Sequence, residues 1–255
     1  MGKYKINNKP IKRIAATLIV AFALCHHPLV RADPAEKVLL PTVVQGELEF
    51  ELLGASQRWS NHDDDRERQF IGEIGYGVSS RWKTELGIGT TRLPGQSYRL
   101  DEIEWENIFA LTEPGEYWLD AALFAELAHD YGAGGNAIKL GPMFQKQFGP
   151  IQANVNLLFE RELGAQAEPG ASIDYQWQLK WRGDPRFEPG LQGFGTLGRT
   201  SDFGHQTESK IGPAFFGQII TSPRHKLKYD AAVLFGLNSN TPRTTIRFQI
   251  EYELN

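Results

Sequence analysis

Cysteine is nearly missing from this chain of 255 residues. The one present, Cys25, falls inside an N-terminal stretch built like a secretory signal. Lys3, Lys5, Lys9, Lys12 and Arg13 precede an apolar run from Ile14 to Leu24, and Val30-Arg31-Ala32 offers small residues at the cleavage positions. That run is shorter than the roughly 20 apolar residues of a membrane-spanning helix, so the segment is expected to be removed rather than kept as an anchor. Leu24 stands where a lipidation signal needs a small residue, which argues against a lipid anchor at Cys25. With residues 1–32 gone and Asp33 first, no thiol remains for a disulfide or for thiol chemistry.

Basic charge is short as well. Removing residues 1–32 takes away six basic residues and no acidic one, leaving 21 Lys and Arg against 31 Asp and Glu, a net charge of −10. Such a surface disfavours nucleic acid and docking to anionic lipid through a basic patch. The motifs of catalysis are absent too. No Ser-elbow stands out, and Gly87-Ile88-Gly89 lacks the helix that would make it a phosphate cradle. His129, His205 and His225 lie far apart, outside any metal-ligand spacing. His62-Asp63-Asp64-Asp65 lacks the spacing and glycine of a calcium loop and reads as a solvated acidic loop. No enzyme, cofactor or metal is expected.

What the chain has in abundance is alternation. In the last twelve residues, Ile246, Phe248, Ile250, Tyr252 and Leu254 fall on one strand face, and Arg247, Gln249, Glu251 and Glu253 on the other. Near the start, Val44, Gly46, Leu48, Phe50 and Leu52 oppose Glu47, Glu49 and Glu51. Successive carboxylates on one face need water or compensating bases. The same period predicts ten more strands between these two, the weakest being the Gly-rich one near Leu191 to Leu197. Turns near Ser80, Pro114, Pro150, Asp184 and Pro223 are mostly shorter than the loops near Asp64, Pro94, Gly134, Ala167, Asp202 and Asn240. Trp82, Phe109, Tyr117, Phe148, Trp181, Phe187 and Tyr252 fall close to the short-turn ends. Lys139-Leu140-Gly141-Pro142 recurs as Lys210-Ile211-Gly212-Pro213. Proline within a strand marks an edge or bulge, so two equivalent bulges are expected.

A signal peptide, no cysteine after it, amphipathic strands throughout and an alternating apolar C-terminal strand together resemble a Gram-negative outer-membrane β-barrel. Thr112-Glu113-Pro114-Gly115-Glu116-Tyr117-Trp118 is similar to stretches in proteobacterial outer-membrane proteins loosely akin to the phenol-degradation-pathway barrel group. Terminal strands of the class usually end on an aromatic residue, whereas this one ends Tyr252-Glu253-Leu254-Asn255. The resemblance implies an all-β fold: a closed antiparallel transmembrane barrel of about twelve strands, with short periplasmic turns and longer extracellular loops. Residues 1–32 would be a signal peptide, 33–43 a short periplasmic lead and 44–255 the barrel. It also implies a place in the cell outer membrane, among its lipid and lipopolysaccharide, and assembly by the barrel-assembly machinery.

In such a barrel the lumen would be lined by Glu47, Glu49, Glu51, Glu102, Glu104, Glu106, Asp174, Lys180, Arg247 and Glu251, among others. Carboxylates outnumber bases there, which favours passive uptake of small polar or cationic solutes. The last strand is expected to pair antiparallel with the Val44 to Leu52 strand, bringing Arg247 near the ladder of Glu47, Glu49 and Glu51. Two other readings stand beside the channel. One is a side-chain-filled structural or lipid-modifying barrel without conductance, the other a secreted soluble β-sandwich whose apolar face is a buried core.

Overall fold

The computed structural model describes residues 34–59, 66–131, 135–165 and 167–255. The signal-peptide reading and His62-Asp63-Asp64-Asp65 lie outside them. The described residues form twelve strands: β1 (Leu48–Arg58), β2 (Glu67–Ser79), β3 (Trp82–Arg92), β4 (Arg99–Ala110), β5 (Asp120–Asp130) and β6 (Gly135–Phe148), then β7 (Ile151–Leu163), β8 (Ser172–Trp181), β9 (Glu188–Arg199), β10 (Asp202–Ser222), β11 (His225–Gly236) and β12 (Thr244–Leu254). Each pairs antiparallel with the next, and β12 pairs back onto β1, so the sheet is a closed barrel with no free edge. At the seam Leu48 stands opposite Leu254, Leu52 opposite Ile250 and Arg58 opposite Thr244.

The period of two decides which side chains enter the barrel. On β1, Phe50 and Leu52 remain 44% and 45% exposed on the outside while Glu49 and Glu51 are buried inside. The same inversion recurs on other strands, with Ile74, Leu86, Trp105, Leu127, Val155, Phe235 and Ile250 outside. A continuous apolar belt around a polar interior is what lipid requires and water penalises. The chain is therefore a membrane-spanning barrel: its long alternating apolar faces turn outward rather than into the buried core that a soluble sandwich needs.

Asn107 is the odd residue of the belt. It points outward from β4 but is buried, because the Trp82 indole N–H donates to its Oδ1 at 3.1 Å and the Trp82 ring stacks on Phe109. Trp82, Phe148, Trp181 and Phe187 are exposed beside the connections 80–81, 149–150 and 182–187. Amphipathic rings at one rim anchor a barrel at the membrane–water boundary.

Several details differ from the sequence reading. The loop expected near Asp202 is mostly strand: β9 and β10 join through residues 200–201, with Asp202 paired to Arg199 and Phe203 to Gly198 before the register shifts at Glu208. The connection 111–119 is the longest on its own rim. Neither Gly-Pro pair forms a bulge. Pro142 stands opposite Leu123 and Pro213 opposite Leu191 in unbroken register. A Cβ on Gly141 or Gly212 would run into the carbonyl of Leu157 or Val233, so the glycine before each proline lets the next strand close in without an extra residue.

The largest difference concerns the stretch 33–43, read as a periplasmic lead. Its described part, residues 34–43, runs inside the barrel. Ala35 packs with Leu53, Ala55 and Ile71; Val38 with Phe194, Ala214, Phe216, Ala232 and Leu234; Leu39 and Val43 with Ile108, Ala110, Ala122, Phe124, Met143 and Leu158. These inward apolar residues interrupt an otherwise polar lumen and receive the segment. Burying side chains of this size is worth about 1.5–3 kcal/mol each. Polar ties add to it: Ala35 N donates to Gln69 Oε1 at 2.9 Å, Asn156 Nδ2 donates to the Leu39 carbonyl at 3.1 Å, and Lys210 lies 3.1 Å from Glu36.

At the rim the chain reverses into β1 through Gly46, whose φ of +83° is costly for any other residue. Gly46 N donates to the Gly77 carbonyl at 2.8 Å and Gly77 N to the Glu47 carbonyl at 2.9 Å.

Candidate functional site

The inner wall of β1 to β4 is a field of carboxylates. Alternation turns Glu49 and Glu51 of β1, Glu73 of β2, Glu85 of β3 and Glu102, Glu104 and Glu106 of β4 inward, and Glu47 joins them from just before β1. The ladder sets them side by side: Glu51 opposite Glu73, Glu85 opposite Glu106, and across the seam Glu49 opposite Glu253 and Glu51 opposite Glu251. Like charges directly opposite one another are destabilising, so this wall needs cations.

Three come from the strands. Lys83 lies 2.8 Å from Glu49 and 3.3 Å from Glu85, Lys228 bridges Glu251 at 3.2 Å and Glu253, and Lys226 pairs with Glu253. The fourth comes from the internal segment. Lys37 Nζ is 3.4 Å from Glu51 and 3.2 Å from Glu106, and it contacts Glu73 directly. Its ammonium thus meets carboxylates from three different strands, donating to Glu51 and Glu73 and pairing by charge with Glu106. Glu102 accepts a hydrogen bond from Gln69 at 3.1 Å. Glu104 is only 7% exposed and, among the described residues, has no ion pair or hydrogen bond. One of its oxygens lies within 4.8 Å of those of Glu73 and Glu106.

The opposite wall is built from amides and bases. Asn154 Oδ1 accepts from Gln152 at 2.9 Å and from Gln178 at 3.2 Å, and Asn156 donates to Gln176 at 3.0 Å. Lys180 holds its ammonium 4.6 Å from the centre of the Phe216 ring. Arg182 pairs with Glu188 at 2.6 Å. Asp174 accepts from Ser172 Oγ at 2.8 Å. Between the two walls is a cavity of ≈ 290 Å³, bordered by Lys37, Glu49, Glu51 and Glu85 on one side and by Lys180 and Arg182 on the other.

The residues singled out in the sequence thus divide. Glu47, Glu49, Glu51, Glu102, Glu104, Glu106 and Glu251 share the acidic side, while Asp174 and Lys180 belong to the other. Arg247 does not join the glutamate ladder. The seam register sets it opposite Ala55, four residues beyond Glu51, and it is buried against Asp230 and Gln192 instead. Lys37 escaped notice in the sequence because it precedes the first strand. The signal was nevertheless there: Val38, Leu39, Leu40 and Val43 make the lead too apolar to be a water-exposed tether.

No family model matches the chain, and no curated protein matches it. Solved structures match it in fold. An outer membrane channel from Pseudomonas putida F1 superposes with a TM-score of 0.55 at 12% identity, covering 88% of this chain and 99% of that one. The NanC porin gives 0.53 at 10% identity, over 81% and 99%. The translocator domain of the autotransporter NalP from Neisseria meningitidis gives 0.53 at 9% identity, over 82% and 88%. The chain has the fold of these outer-membrane barrels. Porins and a translocator domain share that fold, so what this barrel does has to be argued from its interior.

Proposed function

We propose that the chain is an outer-membrane channel for passive uptake of small polar or cationic solutes, with residues 34–43 as an internal plug. The observation that carries this reading is the acidic inner wall, where Glu49 and Glu51 of β1, Glu85 of β3 and Glu251 and Glu253 of β12 border a cavity. A ring of carboxylates raises the local concentration of cations and opposes anions. A barrel meant only as a filled structural element could close its interior with apolar side chains at lower cost than with buried carboxylates.

In this reading the basic and amide wall supports polar solutes by hydrogen bonding, and the plug narrows the path. Lipid and lipopolysaccharide surround the apolar belt, and the barrel-assembly machinery inserts it. Single-channel recording in planar bilayers tests the proposal. Discrete conductance steps with a cation-selective reversal potential are expected. A folded, heat-modifiable protein that never conducts would overturn the channel, and anion preference would overturn the role of the glutamates.

A further inference from the structure

We infer that the acidic wall is a binding site for primary ammonium groups whose free ligand is a small organic polyamine, with Lys37 as its tethered occupant. This deepens the channel reading by naming a class of solute.

The occupant itself shows what the site accepts. Lys37 is in effect an alkylammonium ion delivered on a segment outside the sheet, and Glu51, Glu73 and Glu106 converge on its nitrogen from three strands. A compact ammonium with three donors suits that arrangement, whereas a planar guanidinium would favour two oxygens of one carboxylate. The site is also incompletely neutralised. Glu104 is buried without a partner among the described residues, yet its oxygen lies within 4.8 Å of the carboxylates that hold Lys37. Glu51 Oε1 and Glu85 Oε1 are likewise buried without a hydrogen bond.

One ammonium is therefore in place, and the carboxylates around it call for another. A ligand with two or more ammonium groups joined by methylenes supplies both: one group replaces the Lys37 nitrogen and the next reaches Glu104. The adjoining cavity, bordered by Lys37, Glu51 and Glu85, gives such a chain room. A divalent metal could satisfy the same carboxylates. It would have to displace Lys37 without matching the shape of what it displaced, and the experiment separates the two.

Spermidine is titrated calorimetrically into the full-chain protein in detergent, with magnesium chloride and sodium chloride as competitors at equal ionic strength. Saturable binding is expected. It should tighten about tenfold in Lys37→Met, where the tethered competitor is gone, and weaken about tenfold in Glu104→Gln, where a charged partner is gone. Lys37→Arg, which keeps a competing cation, should bind spermidine no more than about twofold tighter than the unaltered chain. Heat-modifiable mobility in gels checks that each variant is folded. Absence of saturable binding in folded Lys37→Met, indifference to Glu104→Gln, or magnesium competing as well as spermidine would overturn the inference. Binding is read without conductance, so a barrel that binds spermidine but never conducts fails only as a channel, and one that conducts without binding fails only here.

Discussion

The Lys37 ammonium lies 3.2 Å from a Glu106 oxygen, tying a segment that belongs to no strand to the inner face of β4. Removing one partner of a buried ion pair leaves the other charge stranded, at a cost of about 3–5 kcal/mol. Lys37→Ala should therefore destabilise the barrel by that order in urea unfolding followed by tryptophan fluorescence. Adding Glu106→Gln to Lys37→Ala should recover part of the loss, because one of the stranded carboxylates is then neutral. A double variant as unstable as the sum of its single variants would show that the two charges act independently.

The internal segment narrows the lumen by occupying it, so its removal should be audible electrically. Deleting residues 34–43 is expected to raise single-channel conductance in planar bilayers several-fold, on the order of what widening a constriction gives. An unchanged conductance would mean that ions already pass beside the segment rather than through the space it fills.

Selectivity should follow the carboxylates of β1 and β4. Replacing Glu51, Glu104 and Glu106 together with glutamine removes three negative charges while leaving shape nearly unchanged. Under a salt gradient, the reversal potential is expected to move from the cation limit toward zero by tens of millivolts, about what losing a charged ring does. Asp174→Asn, on the other wall, should move it far less.

The seam offers a direct check on closure, since no cysteine other than Cys25 exists to interfere. Leu52 and Ile250 stand opposite one another. Cross-strand neighbours lie about 4.5–5.5 Å apart at Cα, within disulfide range. Leu52→Cys with Ile250→Cys should form an oxidant-dependent link, seen as a shifted band in gels. Leu52→Cys with Ile246→Cys is four residues out of register and should not.

The architecture was legible because strand alternation is a local signal. Each of Glu49, Phe50, Glu51 and Leu52 announces its side of the sheet without reference to the rest of the chain. The seam partner of β1 was legible too, because a closed barrel leaves only one strand to meet it. Register was not. Whether Arg247 meets Glu49 or Ala55 depends on a slip of a few residues that changes no face, so alternation carries no information about it. The inner place of residues 34–43 was only half legible: Val38, Leu39 and Val43 signal burial, but the residues that bury them, Phe194, Phe124 and Met143, are distant in sequence. The prolines at 142 and 213 misled because a bulge was not required once Gly141 and Gly212 allowed close approach.

Gly77 controls how that segment enters. It lies where the chain crosses the rim, its N–H bonded to Glu47 and its carbonyl accepting from Gly46, and a Cβ there would collide with the Val44 carbonyl. The obstacle is backbone, so no rotamer change relieves it. Gly77→Val is therefore expected to push residues 44–46 off the rim and loosen the plug behind them, while β2 keeps its ladder because valine suits a strand. Limited proteolysis should then cut within residues 34–46 at rates well above those of the unaltered chain, with the barrel itself still heat-modifiable. Gly72→Val makes the matching control, since a Cβ at Gly72 meets nothing within 4 Å. If both variants resist proteolysis equally, the rim contact at Gly77 is not what holds the plug.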